Sequence, residues 1–300
     1  MAAERDGAVP DAVRERHHLG AHGNPIYREV FRRPATGAGG AILAAHLTRD
    51  GGVVHVPGAG THHAMPDRAS GFCYINDVAL GLLTWCDLGL TRILYVDVDA
   101  HHGDGVEAVF RADPRITTLS VHEVGRWPRT GGDPSDHGPL GNARNIPVPE
   151  SFNDNEFAHV LERAILPFAE RLRPQAVLLQ CGSDALDDDP LSRLSLSNNA
   201  HFAAVRALSE VTPRFVVTGG GGYNPWAVAR CWAGVWGTLD GREVSVALPE
   251  SARDVLRAIT WPLRAAGRNP PPHWWETLRD PPRPGPVRRE VVEACEAALG

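Results

Sequence analysis

Five short runs, GVVHVPG (residues 52–58), RILYVDV (92–98), ITTLSV (116–121), AVLLQCG (176–182) and RFVVTGG (214–220), are almost wholly apolar and rich in β-branched residues. A strand of this composition has no polar face to offer water, so it belongs in a sheet covered on both sides. Between the runs lie helical patterns over residues 75–88, 104–111, 154–172, 198–210 and 226–239, several with amphipathic spacing. Strands that alternate with helices run mostly parallel, because each return of the chain is made through a helix. The expected fold class is α/β, a mostly parallel central sheet with helices on both faces.

At 300 residues, 43% hydrophobic and 22% charged, the chain is long enough to bury one large core. A formal net charge of −6 and the lack of any Lys/Arg block exclude nucleic acid and anionic membrane surfaces as partners. The opening MAAERDGAVPDAVRERHHLG is charged throughout, without the apolar stretch of a secretory signal, and no apolar run is long enough to span a bilayer. The expected location is therefore the cytoplasm. The five cysteines are odd in number and show no CxxC spacing, which predicts reduced, buried thiols. A Pro-rich stretch, NPPPHWWETLRDPPRPGP (269–286), precedes a last helical pattern. Its Trp274 and Trp275 predict a tail that packs on the body or on another subunit. The expected organisation is an N-terminal arm (1–20), a catalytic domain (21–268) and this tail (269–300).

Ligands of an open parallel sheet bind beyond the carboxyl ends of its strands. The segments just beyond the apolar runs are AGTHHA with His62 and His63, DVDAHHGD with Asp97, Asp99, His101 and Asp104, GSDALDDDP with Asp184, and GGGGYNP with Tyr223. If extended geometry persists, Asp97, Asp99 and His101 point one way, making Asp99 and His101 a two-pronged metal grip that Asp184 completes. Three protein ligands with an open position is the pattern of a catalytic metal site. Zn²⁺ suits it, and an O,N,O donor set also accepts Fe²⁺ or Co²⁺. Isolated carboxylates such as Asp113, Asp187 and Asp188 read as helix caps or turn formers. His46, His55, His137, His159 and His201 read as surface or satisfied core residues, and His17, His18 and His22 lack regular ligand spacing. The glycines of GGGGYNP do not form a phosphate loop, since GxxxxGK[ST] is absent. They let the backbone turn tightly and bring Tyr223 over the pocket. No GxSxG elbow is present.

The segments THHAMPDRASGFCYINDVALG, RILYVDVDAHHGDGVEAVF, TLSVHE, QCGSDALDDDPL and GGGGYNPWAVARCW occur in order between residues 20 and 240. Together they resemble the histone deacetylase superfamily, which includes acetoin-utilisation proteins and acetylpolyamine amidohydrolases on the arginase/deacetylase three-layer fold. The resemblance implies a zinc-dependent deacetylase acting on an N-acylated amine of acetyl-lysine or acetylpolyamine type. It implies that Asp99, His101 and Asp184 bind Zn²⁺. It also implies that His62 and His63 are a tandem catalytic pair backed by Asp97 and Asp104, with His63 as general base and acid. Tyr223 matches the tyrosine that polarises the scissile carbonyl, while Gly71, Phe72 and Trp127 match the walls of the acyl-lysine tunnel. Asp97, Asp99, His101, Ser120 and Val121 match a structural monovalent cation site, K⁺ in the family.

Two departures stand out. The family's Pro-Gly-Gly-x-His-His reads PGAGTHH, one residue longer, and the long segment that precedes the match to HLGAHGNPIYREVF has almost no counterpart here, its rim aspartate included. An uncovered sheet edge is therefore expected, closed by a homo-oligomer interface through residues 16–34 or the Pro-rich tail. Two other functions compete with deacetylation. A non-catalytic metal sensor or assembly subunit is disfavoured by intact His62, His63, Asp104 and Tyr223. An arginase-like ureohydrolase is disfavoured because DVDAHHGDG lacks DAHxD and GSDALDDDP lacks SxDxDxxDP.

Overall fold

β-Branched side chains fit a pleated surface, and the apolar runs form the strands. The computed structural model describes residues 5, 7–242, 244, 247–262 and 265–300, so residues 1–4 and 6 of the expected N-terminal arm lie outside the described residues. The strands are β1 (Gly52–Val56), β2 (Ile93–Asp97), β3 (Ile116–Glu123), β4 (Ala143–Val148), β5 (Ala176–Gln180) and β6 (Arg214–Thr218). Before and between them lie α1 (Asp11–His17), α2 (Arg32–Leu47), α3 (Asp77–Asp87) and α4 (Asp104–Phe110). The next helix is α5 (Asp154–Val160), continued by a π turn (Leu161–Ile165) into α6 (Leu166–Leu172), and then come α7 (Asn198–Ser209) and α8 (Pro225–Leu239). Short helices α9 (Glu250–Arg257), α10 (Ala265–Arg268) and α11 (His273–Glu276) lead to the terminal α12 (Arg289–Leu299).

All six strands are parallel, in the order β1-β6-β5-β2-β3-β4. From β2 the chain builds outward to β4, then returns to place β5 on the other side of β2 and builds outward again. The β2/β5 boundary is thus the point where the winding reverses. A crevice opens there at the carboxyl edge.

Alternation along the strands divides the core. Leu94, Val96, Leu119, Val177, Leu179, Phe215 and Val217 face a cluster that includes residues of α5 to α8 and α12. Ile93, Tyr95, Ile116, Ala176, Leu178 and Val216 face α2, α3 and α4. The expected three-layer α/β architecture is observed.

Two elements are not legible in the sequence. ARNIPV contains Arg144, Asn145 and Pro147, yet it forms β4, an outermost strand where a residue without an N–H is tolerated. RRPATGAGGAILAAHL carries Pro34 and three glycines, yet it forms α2. Its small residues allow close approach: a Cβ on Gly40 would lie 2.9 Å from Val56 Cγ1, and one on Gly37 would lie 3.0 Å from the Gly58 carbonyl oxygen.

The Pro-rich tail packs on the body of its own chain. Trp274 is buried with Trp226 and Leu256, Arg230 donates to the Thr277 carbonyl (2.6 Å) and pairs with Asp280, and Val291, Cys295 and Ala298 of α12 enter the core. At the opposite edge, β1 pairs only with β6 among the described residues, and Val53 is exposed. All five cysteines are free and buried. No helix among the described residues is long and apolar enough to cross a membrane.

Candidate metal centre and active site

β2 ends at Asp97, and beyond it the chain makes a succession of tight turns rather than further strand. Asp97 Oδ1 accepts the Asp99 N–H (3.0 Å), and Asp99 Oδ1 accepts the His101 N–H (3.0 Å). Short carboxylates commonly bond the backbone two residues on in this way. The expectation of persistent extended geometry is therefore corrected: turns, not strand alternation, gather Asp99 and His101. Asp184, in the single 3₁₀ turn Ser183–Ala185 after β5, completes the set, its Oδ1 accepting the Ala100 N–H (2.9 Å).

Asp99, His101 and Asp184 are buried, and each offers one donor atom within 4.8 Å of the others. His101 Nδ1 stands 2.9 Å from Asp184 Oδ2 and 3.2 Å from Asp99 Oδ1. Burial opposes a charged His101, but bonds and charges from Asp184 and Asp99 outweigh it and raise its pKa to about 11. Two buried carboxylates demand a cation beside them. The O,N,O donor set, charge and enclosure fit a divalent ion such as Zn²⁺. Glycine makes the cradle possible: a Cβ on Gly182 would lie 2.1 Å from Asp99 Oδ2, and one on Gly221 would lie 2.0 Å from Asp184 Oδ2.

Beside this set stand His62 and His63, with ring centroids 3.9 Å apart. His62 Nδ1 is 2.7 Å from Asp97 Oδ2, and His63 Nδ1 is 2.7 Å from Asp104 Oδ1. The two imidazoles differ in charge. Burial disfavours a proton on His62, yet the carboxylates of Asp97 and Asp99 prevail and lift its pKa to about 9. On His63 burial dominates, reinforced by the charge of His62, and the pKa falls to about 4. A divalent ion on Asp99 would draw His62 back toward the neutral range. His63 is neutral near pH 7 and free to accept a proton.

His62, His63, Asp99, His101, Asp184 and Tyr223 line one cavity of about 400 Å³. Phe72 and Trp127 line its mouth, Trp127 packed edge-on to His63 at 4.6 Å between centroids. Gly71 lies between them in the left-handed region, with φ of 54°. A Cβ there would meet Trp127 Cη2 at 2.4 Å and His63 Cδ2 at 2.7 Å. Gly71→Ala is accordingly expected to cost about 1–3 kcal/mol of stability and to displace the Trp127 ring. Thermal unfolding and kcat/KM measured together check this; unchanged values for both would contradict it.

Ser120 and Val121 lie on β3, where Ser120 is the register partner of Asp97. Among residues overlooked in the sequence, Gln180 donates to Asp99 Oδ2 (2.8 Å) and accepts the Gly182 N–H (3.0 Å). The signal was a polar residue ending an otherwise apolar strand. Asn24 accepts the Phe72 N–H (3.0 Å), and His22 reaches the mouth.

The loop carrying Trp127 rests on a second buried histidine pair. His122 Nε2–H donates to the Gly131 carbonyl (3.0 Å), and its ring packs at a tilt against His102, whose Nδ1 meets Thr130 Oγ1 at 2.7 Å. Burial, then the nearby His102, lowers the His122 pKa to about 3. Between that value and the unfolded 6.5 the unfolded chain binds the extra proton, so stability falls as pH drops below about 6.5. The urea midpoint should be lower at pH 5 than at pH 7.5, and His122→Asn should shrink the difference. An undiminished difference in the variant would exclude His122 as a source.

The histone deacetylase domain family matches residues 3–239. The chain belongs to the histone deacetylase family. It is 38% identical over 213 residues to histone deacetylase 6 of Arabidopsis thaliana, covering 69% of this chain and 45% of that protein. It is 36% identical over 231 residues to histone deacetylase clr6 of Schizosaccharomyces pombe, covering 75% of this chain and 56% of that one. The chain thus spans about half the length of these curated relatives. The crystal structure of an HDAC homolog complexed with SAHA matches with a TM-score of 0.93 at 38% identity, over 99% of this chain and 81% of that one. An HDAC homolog from Aquifex aeolicus matches with a TM-score of 0.92 at 37% identity, over the same shares. Family membership and the buried Asp-His-Asp set agree.

Proposed function

We propose that the chain is a zinc-dependent amide hydrolase that removes an acetyl group from an N-acetylated amine. The observation that carries this reading is the meeting, in one cavity, of a buried Asp-His-Asp donor set with two histidine–carboxylate pairs and a tyrosine. Zn²⁺ held by Asp99, His101 and Asp184 would supply Lewis acidity toward the amide carbonyl and acidify the attacking water. His63, kept neutral by burial and aligned through Nδ1 by Asp104, takes the water's proton on Nε2 and returns it to the leaving amine. His62, backed by Asp97, adds a hydrogen bond beside the developing oxyanion. Tyr223 is partly exposed at the cavity, yet desolvation of its hydroxyl and the charges of Asp184 and Asp99 raise its pKa, so it remains protonated and a donor to the same oxygen. Phe72 and Trp127 offer flat apolar walls to the alkyl chain of the amine.

Asp97, Asp99 and His101 with the backbone of Ser120 and Val121 would hold a structural K⁺, a role the β2–β3 register supports. A two-metal ureohydrolase needs a further donor set, whereas among the described residues only one such cluster stands. Five buried, free thiols suit a reducing compartment such as the cytoplasm. The substrate is sought by acetate release from an acetyl-lysine peptide, N-acetylputrescine and a longer acyl-lysine peptide, using zinc-loaded protein with SAHA as competitor. Turnover that SAHA blocks is expected; no hydrolysis of any of the three would overturn the reading.

The edge of β1 that has no strand partner among the described residues also supports a homo-oligomer. Because the tail is already packed on its own body, residues 16–34 and the β1 edge are the interface in this reading. Light scattering should report a dimer, and a monodisperse, fully active monomer would sink the idea.

A further inference from the structure

A tyrosine that must deliver its hydroxyl to one point is mounted here on a run of four glycines, Gly219 to Gly222, the most permissive backbone available. Among the described residues, no side-chain hydrogen bond steadies the Tyr223 ring or hydroxyl. Its aim must come from what grips the backbone. The Tyr223 N–H donates to Asp189 Oδ2 (2.6 Å). The next residue, Asn224, caps α8 with its Oδ1 and donates from Nδ2 to the Asp188 carbonyl (3.1 Å). Loop 187–189 therefore holds the backbone at Tyr223 and the cap beside it.

That loop is in turn held by the C-terminal tail. Asp187 pairs with Arg283 at 2.6 Å, and Asp188 Oδ2 accepts the Trp274 indole N–H at 2.7 Å, with His273 Nε2 3.5 Å away. Trp274 is buried, so its N–H needs an acceptor, and a carboxylate makes that bond a strong one. The Trp274 ring also stacks on Trp226, three residues beyond Tyr223, at 5.1 Å between centroids. One side chain of the tail thus touches both flanks of the tyrosine loop.

We propose that Trp274 is a positioning residue for Tyr223, acting through Asp188 and loop 187–189. The proposal rests on the reading of Tyr223 as oxyanion donor. Trp274→Phe keeps a ring to stack on Trp226 but deletes the N–H. On whichever of the acetyl-lysine peptide, N-acetylputrescine and the longer acyl-lysine peptide the wild type hydrolyses, kcat should fall about tenfold or more, the scale of a misaimed group, with zinc content unchanged. KM should change little, because the lost contact acts in the transition state. The decisive comparison is made in a Tyr223→Phe background. With no hydroxyl left to aim, Trp274→Phe should cost nothing further there. Asp188→Ala, which removes the acceptor and leaves the tail intact, should reproduce both the loss and the non-additivity, and serves if Trp274→Phe does not fold. An unchanged kcat, or an equal fall with and without the Tyr223 hydroxyl, would overturn the positioning role alone. A wild type that hydrolyses none of the three substrates, or a Tyr223→Phe protein at the wild-type rate, would overturn the reading of Tyr223 and this inference with it.

Discussion

Asp184→Ala is expected to purify folded and almost free of divalent metal. Removing a direct ligand should weaken binding by more than the ~10–100-fold that outer-shell partners cost. Folding should survive, because Asp99 Oδ1 remains 3.2 Å from His101 Nδ1 as its counter-charge. Added Zn²⁺ should raise the melting temperature of the wild type by mass action and leave the variant unmoved. Elemental analysis beside that titration checks both points; a variant that keeps its zinc and its thermal shift removes Asp184 from the site.

Tyr223→Phe should retain metal and fold while lowering kcat by about two to three orders of magnitude, the scale of losing one oxyanion donor. His63→Ala should be at least as harmful, since it deletes the proton acceptor and the ring that packs on His62 and bonds Asp104. Steady-state kinetics on a confirmed substrate, with zinc content measured for each variant, separates lost chemistry from lost metal. Near-wild-type turnover in either variant would disprove the mechanism.

The positions of the reactive groups were readable because they obey a local rule. His62, His63, Asp99, His101, Asp184 and Tyr223 each come after an apolar run, and parallel strands deliver their carboxyl ends to one edge. The manner of their convergence was not readable. Asp99 and His101 meet through turns that the carboxylates of Asp97 and Asp99 stabilise, a choice the extended pattern of RILYVDV concealed. β4 was hidden by Pro147, and α2 by glycines whose purpose is close packing on β1 and α3. Asp188 read as an ordinary turn former, and its partner Trp274 lies 86 residues away.

By itself, then, the sequence determined the parallel α/β class, the strand ends that carry the chemistry and the donor types available to a metal. Composition and periodicity act within a few residues, and those properties are local. Tertiary structure alone decided which strands adjoin, and so that β2 and β5 open the crevice between them. It also decided that Gly182 and Gly221 clear the space around Asp99 and Asp184, that His62 and His63 carry opposite shifts in pKa, and that the tail reaches the loop behind Tyr223. Each of these depends on the distance and burial of groups far apart in the chain, which no local pattern encodes.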